Sequence, residues 1–410
     1  MTKFPAVRSH VASRDRVIRV TIDLIASGGI RGATMRDIAA ASGVTAATIA
    51  SLFVNKDGLV AQCFADLAAD DRLALEARVD QAQQLALAGE LAAPFLWTLV
   101  EDAWGERRSA TLALIELWLA TPGQAHLTAS CRDWIVARRD ALRQLAGLFG
   151  AEPMAFDILG LHLLSESSFA VSCGGSYAYR LVAQAGFAEA VAWIAGLGDK
   201  ALPGGVAQLS ATFHADPDRG HDAREPQARS AESRDRIIEA AAAIIEEDGL
   251  SSVTNRAVAE RAGVSLALTT YHFKVVSELT FAGILRVFEK TNASLSNMVP
   301  LGGVAARIAR RAQPSGVERL RSRGMAQISL AAARGSAPAA LGLDMRRQRG
   351  TLTHAAARFS GQAITRTRAA SHALWSSAAF LVAAAIPDAD AIFDFDAQGR
   401  MAAERLLDEG

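Results

Sequence analysis

The chain has 410 residues, half of them hydrophobic, with 43 basic and 43 acidic side chains and a formal net charge of zero. That length points to two to four domains with ample core, and the neutral balance excludes any argument about partners from total charge. Three isolated cysteines, Cys63, Cys131 and Cys173, suit a reducing cytoplasm better than a disulfide framework; Met1–His10 lacks the apolar stretch of a secretory signal, and the apolar run Ala378–Ile386 is too short for a bilayer span.

In chain order, the basic start (Lys3, Arg8, His10, Arg14, Arg16) reads as either a disordered segment or an arm toward nucleic acid. Arg14–Ala26 places Val17, Ile18, Ile22 and Ile25 on one helical stripe, closed by Gly28 and Gly29. Thr34 stands where an N-cap belongs, before a short helix Met35–Ala41. Ser42, Gly43 and Val44 break it, with Gly43 where the chain needs positive φ. Thr45 caps a second short helix over Ala46–Ser51, Phe53 plugs the base, and Asn55 caps a long helix starting at Lys56 and Asp57. Helical patterns continue at roughly 57–87, 91–104, 108–120, 124–149, 153–180 and 184–197, and no segment alternates as a strand does. The expected fold is all-α.

A charged, Pro- and Gly-bearing stretch near Ala211–Ser230 reads as a linker, and a weaker break lies at Met298–Gly303. Beyond the linker the first unit returns. A shift of 220 residues superposes Ser13–Leu59 on Ser233–Leu279 without a gap, with 15 identities in 47 positions, among them Gly29/Gly249, Thr34/Thr254, Arg36/Arg256, Gly43/Gly263, Ala47/Ala267 and Phe53/Phe273. The second copy repeats the punctuation, with Gly249 closing its first helix, Gly263 at the turn, and Thr254, Ser265 and Ser277 as caps. A period this long is two whole domains. The expected organisation is a first DNA-binding unit 1–59, a first all-α ligand or dimerisation domain 60–215, a linker 216–230, a second DNA-binding unit 231–279 and a second all-α domain 280–410.

Two short helices joined by a tight glycine turn, braced by a third, form a helix-turn-helix, which lays its second helix in a DNA major groove. Small side chains let such a helix sit deep, with threonine methyls against thymine methyls. Thr34, Arg36, Thr254 and Arg256 lie at helix starts where phosphates dock on free N–H groups; Lys56 and Lys274 complete the candidate set. Either threonine can equally be a cap and nothing more.

The Thr34/Thr254 caps, the Ala39…Gly43-Val44-Thr45 and Ala259…Gly263-Val264-Ser265 turns, and the ends Phe53-Val54-Asn55-Lys56-Asp57 and Tyr271-His272-Phe273 resemble the tetracycline-repressor (TetR) family of bacterial transcription regulators. The resemblance covers about 95 residues. It implies binding of double-stranded DNA, an all-α ligand and dimerisation domain, and repression relieved by a small molecule. Carried over position by position from this resemblance, the candidate groove-facing residues are Thr45, Ala46, Ala47, Thr48 and Ser51 in the first copy, and Ser265, Leu266, Ala267, Leu268, Thr269, Thr270, Tyr271 and His272 in the second. The copies depart from the family pattern differently. Where the family carries a phosphate-contacting tyrosine, the first has Ala50 and the second Thr270; the first keeps the family lysine at Lys56, where the second has Val276. Residues 1–59 carry eight Lys/Arg against four Asp/Glu, and residues 224–279 seven against nine. Since phosphate binding scales with local positive charge, the first copy should grip DNA harder. The second is either a reader of a different half-site or a decayed structural module.

Charge also divides the remainder. Residues 60–220 carry 11 basic and 19 acidic side chains, residues 280–410 carry 17 and 10, and arginines crowd 301–370. Opposite signs favour pairing of the two halves with each other, a covalent pseudo-dimer; a homodimer of fused chains is the alternative. The arginines read otherwise as a solvated face, or as a seat for an acidic ligand or further DNA.

Five of the six tryptophans fall in the first half. Trp97, Trp104, Trp118 and Trp134, with His162, Ser165 and Phe169 on one later helix, are the candidate lining of an apolar effector pocket; ordinary core is the other reading. No glycine phosphate loop, nucleophile elbow or metal-ligand set stands out, and the i, i+4 pair His162/Glu166 lacks a third ligand. The sequence thus predicts a cytoplasmic regulator with no cofactor, no membrane partner and no enzymatic site.

Overall fold

The computed structural model describes residues 5–214, 228–297, 316–359 and 362–407, and among them every regular element is helical. The first unit opens with α1 (Pro5–Gly32), α2 (Met35–Ser42), α3 (Ala46–Phe53) and α4 (Lys56–Gln84). Val17, Ile18 and Ile25 of α1 meet Ile38 of α2, Ile49 and Phe53 of α3 and Leu59 of α4 in one buried cluster. The caps hold as hydrogen bonds: Thr34 Oγ1 accepts from Asp37 N at 3.2 Å, Thr45 Oγ1 from Thr48 N at 3.1 Å and Asn55 Oδ1 from Gly58 N at 2.8 Å. Each satisfies an N–H that the first helical turn leaves without a partner.

The second unit repeats this in α11 (Ala228–Asp248), α12 (Asn255–Ala262), α13 (Leu266–His272) and α14 (Val276–Asn297). Thr254 caps α12 and Ser265 caps α13, accepting from Ala257 N and Leu268 N at 3.1 and 3.2 Å. Gly43 and Gly263 make the turns at φ 68° and 63°. Ser277 is not the cap expected of it. α14 starts one residue earlier, at Val276, and Glu278 reaches back to accept from Lys274 N at 3.2 Å, so a carboxylate closes this helix start. α1 also begins before the expected Arg14, which places Arg8 and His10 on a helix rather than in an arm. Lys3, the linker through residue 227, the break at 298–303 and Arg307, Arg310 and Arg311 lie outside the described residues.

Gly29 and Gly249 interrupt the two units at matching places, with φ 74°, ψ 171° and φ 87°, ψ 167°. That region is open essentially to glycine alone. A Cβ on Gly29 would stand 2.9 Å from Glu116 Oε1, whereas one on Gly249 would meet the Gln327 carboxamide at 3.5 Å. Gly29→Ala is expected to cost about 1–3 kcal/mol of stability and Gly249→Ala somewhat less, as read from urea denaturation midpoints.

The rest of the first half comprises α5 (Ala92–Trp104), α6 (Arg108–Ala120), α7 (Ala125–Phe149), α8 (Pro153–Cys173), α9 (Tyr177–Ile194) and α10 (Gly204–His214). The helix expected over 153–180 is two: the chain turns at Gly174–Ser176, and Ser176 caps α9. α8 is long and apolar enough to cross a bilayer by composition, yet 94% of that window is buried inside the protein. All three cysteines are free and buried; burial pushes Cys63 and Cys131 up to about 12 and Cys173 to about 11.

The second half continues with α15 (Gly316–Ala333), α16 (Ala339–Arg347), α17 (Thr351–Phe359), α18 (Arg366–Ala385), α19 (Ala389–Phe393) and α20 (Phe395–Leu407). Helices α8 and α9 pack against α18 and α20, and α8 also meets α15 and α16, so one buried cluster runs through both halves. At the α9–α18 contact Gly186 faces Thr367, whose methyl stands 3.4 Å from where a Cβ would be. Many second-half arginines turn inward to the acidic first half. Arg334 pairs with Glu116 at 2.9 Å, Arg346 with Glu166 at 2.9 Å and Arg405 with Glu152 at 2.8 Å. The guanidiniums of Arg347, Arg349 and Arg368 lie over Phe213, Phe169 and Trp193. Charge complementarity between the halves is thus realised inside one chain.

Candidate nucleic-acid interface

On α3 the 3.6-residue period divides the side chains. Ile49 and Phe53 point into the bundle, Thr45, Ala46, Ala47, Ala50 and Ser51 are exposed, and Thr48 is half-buried. The Thr45 and Thr48 hydroxyls lie 2.9 Å apart and Ser51 Oγ donates to Thr48 O at 2.8 Å, so the polar groups of this face are loosely tied to their own helix. α13 repeats the exposure pattern position for position: Ser265, Leu266, Ala267, Thr270 and Tyr271 are exposed, Leu268 and His272 half-buried. Thr269 corrects the sequence reading. It is the counterpart of Ile49, has no exposed surface, and its hydroxyl finds no hydrogen-bond partner among the described residues. A side chain buried in the bundle cannot reach a base edge.

Phosphate-contact candidates divide similarly. Arg36 is nearly fully exposed, 3.8 Å from the Asp37 carboxylate; Arg256, Thr34 and Thr254 are exposed too. The Thr34 hydroxyl donates to Asp37 at 2.6 Å, whereas the second unit has Ala257 at the matching position and leaves its helix start free of a carboxylate. Lys56 is held away from the surface. Its ammonium donates to the Ile30 carbonyl at 2.7 Å, and burial lowers its pKa, so it ties the end of α1 to α4. Lys274 stays exposed, 5.5 Å from the Tyr271 ring centroid. His272 stands edge-on to Tyr271; burial and then Arg234 lower its pKa. One repeated pair escaped the sequence reading: Arg14 over Phe53 at 5.4 Å and Arg234 over Phe273 at 5.2 Å, both members identical in the repeat. Each braces the end of a candidate recognition helix.

The expected effector lining is packed core. Trp118 and Trp134 meet edge-on at 6.1 Å, Trp134 Nε1 donates to Asp71 at 2.8 Å, and Trp97 lies 5.9 Å from Phe187. Trp104 is covered by Arg180, the His162 ring meets Phe187 edge-on, Phe169 lies under Arg349, and Ser165 is buried. Of the seven, Trp134 lines a cleft, of about 40 Å³, which suits a water rather than an effector. The His162/Glu166 pair is no metal site either: Glu166 is spent on Arg346 and on the Tyr179 hydroxyl, 2.9 Å away.

Two capped helix-turn-helix units on an all-α body define a DNA-binding protein of the bacterial regulator class. The family model for bacterial regulatory proteins of the tetR family matches residues 17–63 and again 237–275, and the chain belongs to the TetR family, with two TetR-like units in one polypeptide. A comparison with curated proteins finds no match. It is a TetR-family transcriptional regulator.

Proposed function

We propose that the chain reads DNA as an intrachain pseudo-dimer, each helix-turn-helix taking one half of an asymmetric operator, and that it acts in the cytoplasm as a repressor released by a small effector. The observation that carries this reading is the packing of α8 and α9 on α18 and α20, which joins the two halves of one chain as two subunits would join. Both α3 and α13 keep an exposed face of small side chains, and α1 touches the turn at 250–252, so the DNA-binding units are neighbours. The faces differ. α3 offers alanines and hydroxyls, whereas α13 adds Leu266 and Tyr271, so two different half-sites are expected.

The test is sedimentation velocity with and without duplex from the DNA flanking the gene. A species of 43.2 kDa, binding one chain per duplex with protection over two half-sites about one helical turn apart, is expected. The second reading, a homodimer of fused chains, draws on the acidic excess of residues 224–279, which opposes phosphate binding. A stable mass of twice the chain, with the second unit unprotected, would favour it.

A further inference from the structure

A cavity of about 380 Å³ lies where the two DNA-binding units meet the body, within the size range of small-molecule sites. Its walls come from all four parts of the chain: Arg31 and Asp57 of the first DNA-binding unit, Gln124 and His126 of the first body, Asp248 of the second DNA-binding unit, and Arg323 and Gln327 of the second body. Glu116 and Gln327, which also face it, are counterparts. Each lies on a body helix opposite the glycine that breaks the first helix of its own DNA-binding unit. Glu116 is satisfied, accepting from Ile30 N at 3.3 Å and pairing with Arg334. Gln327 is only 8% exposed and lays its carboxamide toward Gly249, while the neighbouring Arg323 Nε is buried with no hydrogen-bond partner among the described residues. Buried polar groups are nearly always paired, so an idle guanidinium nitrogen at the wall of a roomy cavity points to a ligand.

The charges on the walls define its chemistry. Arg323 is one helical turn before Gln327 on α15. One Nη donates to the Glu247 carbonyl at 3.2 Å, while its Nε has no partner, and burial lowers its pKa. A guanidinium and a carboxamide on one face are the donors that a carboxylate takes. At the rim, Asp57 and Asp248 are exposed carboxylates, the first in the field of Lys56 and the second in that of Arg323 and Arg261, and neither forms a direct ion pair among the described residues. Asp248 ends α11, where the helix dipole disfavours an anion and a nearby cation relieves it.

We propose that this cavity binds a small zwitterion of the amino-acid type, its carboxylate on Arg323 and Gln327 and its ammonium toward Asp57 and Asp248. The occupant bridges the ends of α1 and α11 and so fixes the separation of the two DNA-binding units. On the pseudo-dimer reading, that separation sets which operator fits. Coupling of this kind is reciprocal: operator DNA changes amino-acid affinity by the factor by which the amino acid changes operator affinity.

The test uses the full chain, titrated by calorimetry and followed by thermal unfolding, with the twenty L-amino acids singly. For any that binds, the matching amine without the carboxylate and the matching acid without the amine are also titrated. At least one amino acid is expected to bind at one site per chain and raise Tm, with both single-charge analogues at least tenfold weaker. Gln327→Leu should leave the Tm of the unliganded chain nearly unchanged, since its carboxamide makes no hydrogen bond among the described residues, while weakening the amino acid tenfold or more. No binding by any amino acid at millimolar concentration would overturn the proposal. So would an amine or acid that binds as well as the zwitterion, or binding indifferent to Gln327→Leu. Neither readout involves DNA. A chain that binds the amino acid but no duplex keeps this site and loses only the DNA reading.

Discussion

Replacing Glu166 by alanine is expected to destabilise the chain by about 3–5 kcal/mol, the usual cost of leaving one member of a buried ion pair alone. Arg346 reaches Glu166 from the opposite half with Nε and Nη2 each at 2.9 Å, and both side chains are buried. Without Glu166 the guanidinium has no paired carboxylate among the described residues, and Arg346 Nη1 already lacks a hydrogen-bond partner among them. The control is the double variant Glu166→Leu with Arg346→Met, which removes both desolvation costs and should recover most of the loss. A packing defect at α8 would not be repaired in this way.

Acid should act at the same place. Burial pushes the Glu166 carboxyl up, but the Arg346 charge and the hydrogen bonds around it outweigh burial and hold it down at about 2. A depressed folded pKa means stability that is fully present above the unfolded glutamate value, about 4.3, and lost as pH falls toward 2. His162 acts in the same direction. Burial lowers its pKa, so the folded ring stays neutral while the unfolded one takes up a proton below about 6.5. Urea midpoints are therefore expected to fall first below pH 6.5 and more steeply below pH 4.5, with the steeper fall reduced in the double variant, where Asp235, Glu239 and Asp388 still carry lowered pKa values.

The repeat, its caps and its turn glycines were legible because each is a local device. Thr34, Thr45 and Gly43 need only their own neighbours to act, and so do Thr254, Ser265 and Gly263. Thr269 was misread because a hydroxyl on a short helix suggests a groove contact, whereas its register, one turn from Phe273, gives it the buried place that Ile49 holds in the first unit. The division of α8 from α9 was hidden for a different reason. Gly174 is demanded by the Trp104 ring, 2.7 Å from where its Cβ would stand, and Trp104 is 70 residues away in sequence. The opposite charges of the two halves were visible, but not which arginine meets which carboxylate or ring. The tryptophans marked packed core in the first body, where their rings fill the space an effector would need. The cavity at the junction of the two units needs residues from four separate stretches, none of which forms a motif alone.

Ala47→Asp is expected to lower operator affinity by at least about 100-fold, and Ala267→Asp by about tenfold. Both alanines are exposed at the same position of α3 and α13, so the fold should tolerate either change within about 0.5 kcal/mol. The new carboxylate would face base edges and the phosphates flanking the groove, where it replaces a close apolar fit by repulsion. The two effects differ because the units differ in charge. Residues 1–59 hold eight cations against four anions and residues 224–279 seven against nine, so the first unit contributes most of the phosphate attraction and has most to lose. Fluorescence anisotropy gives the affinities, and footprinting gives their location: each variant should lose protection over one half-site and keep the other. If Ala267→Asp leaves both affinity and footprint unchanged, the second helix-turn-helix does not read DNA, and the chain must pair with another copy to cover a two-fold site.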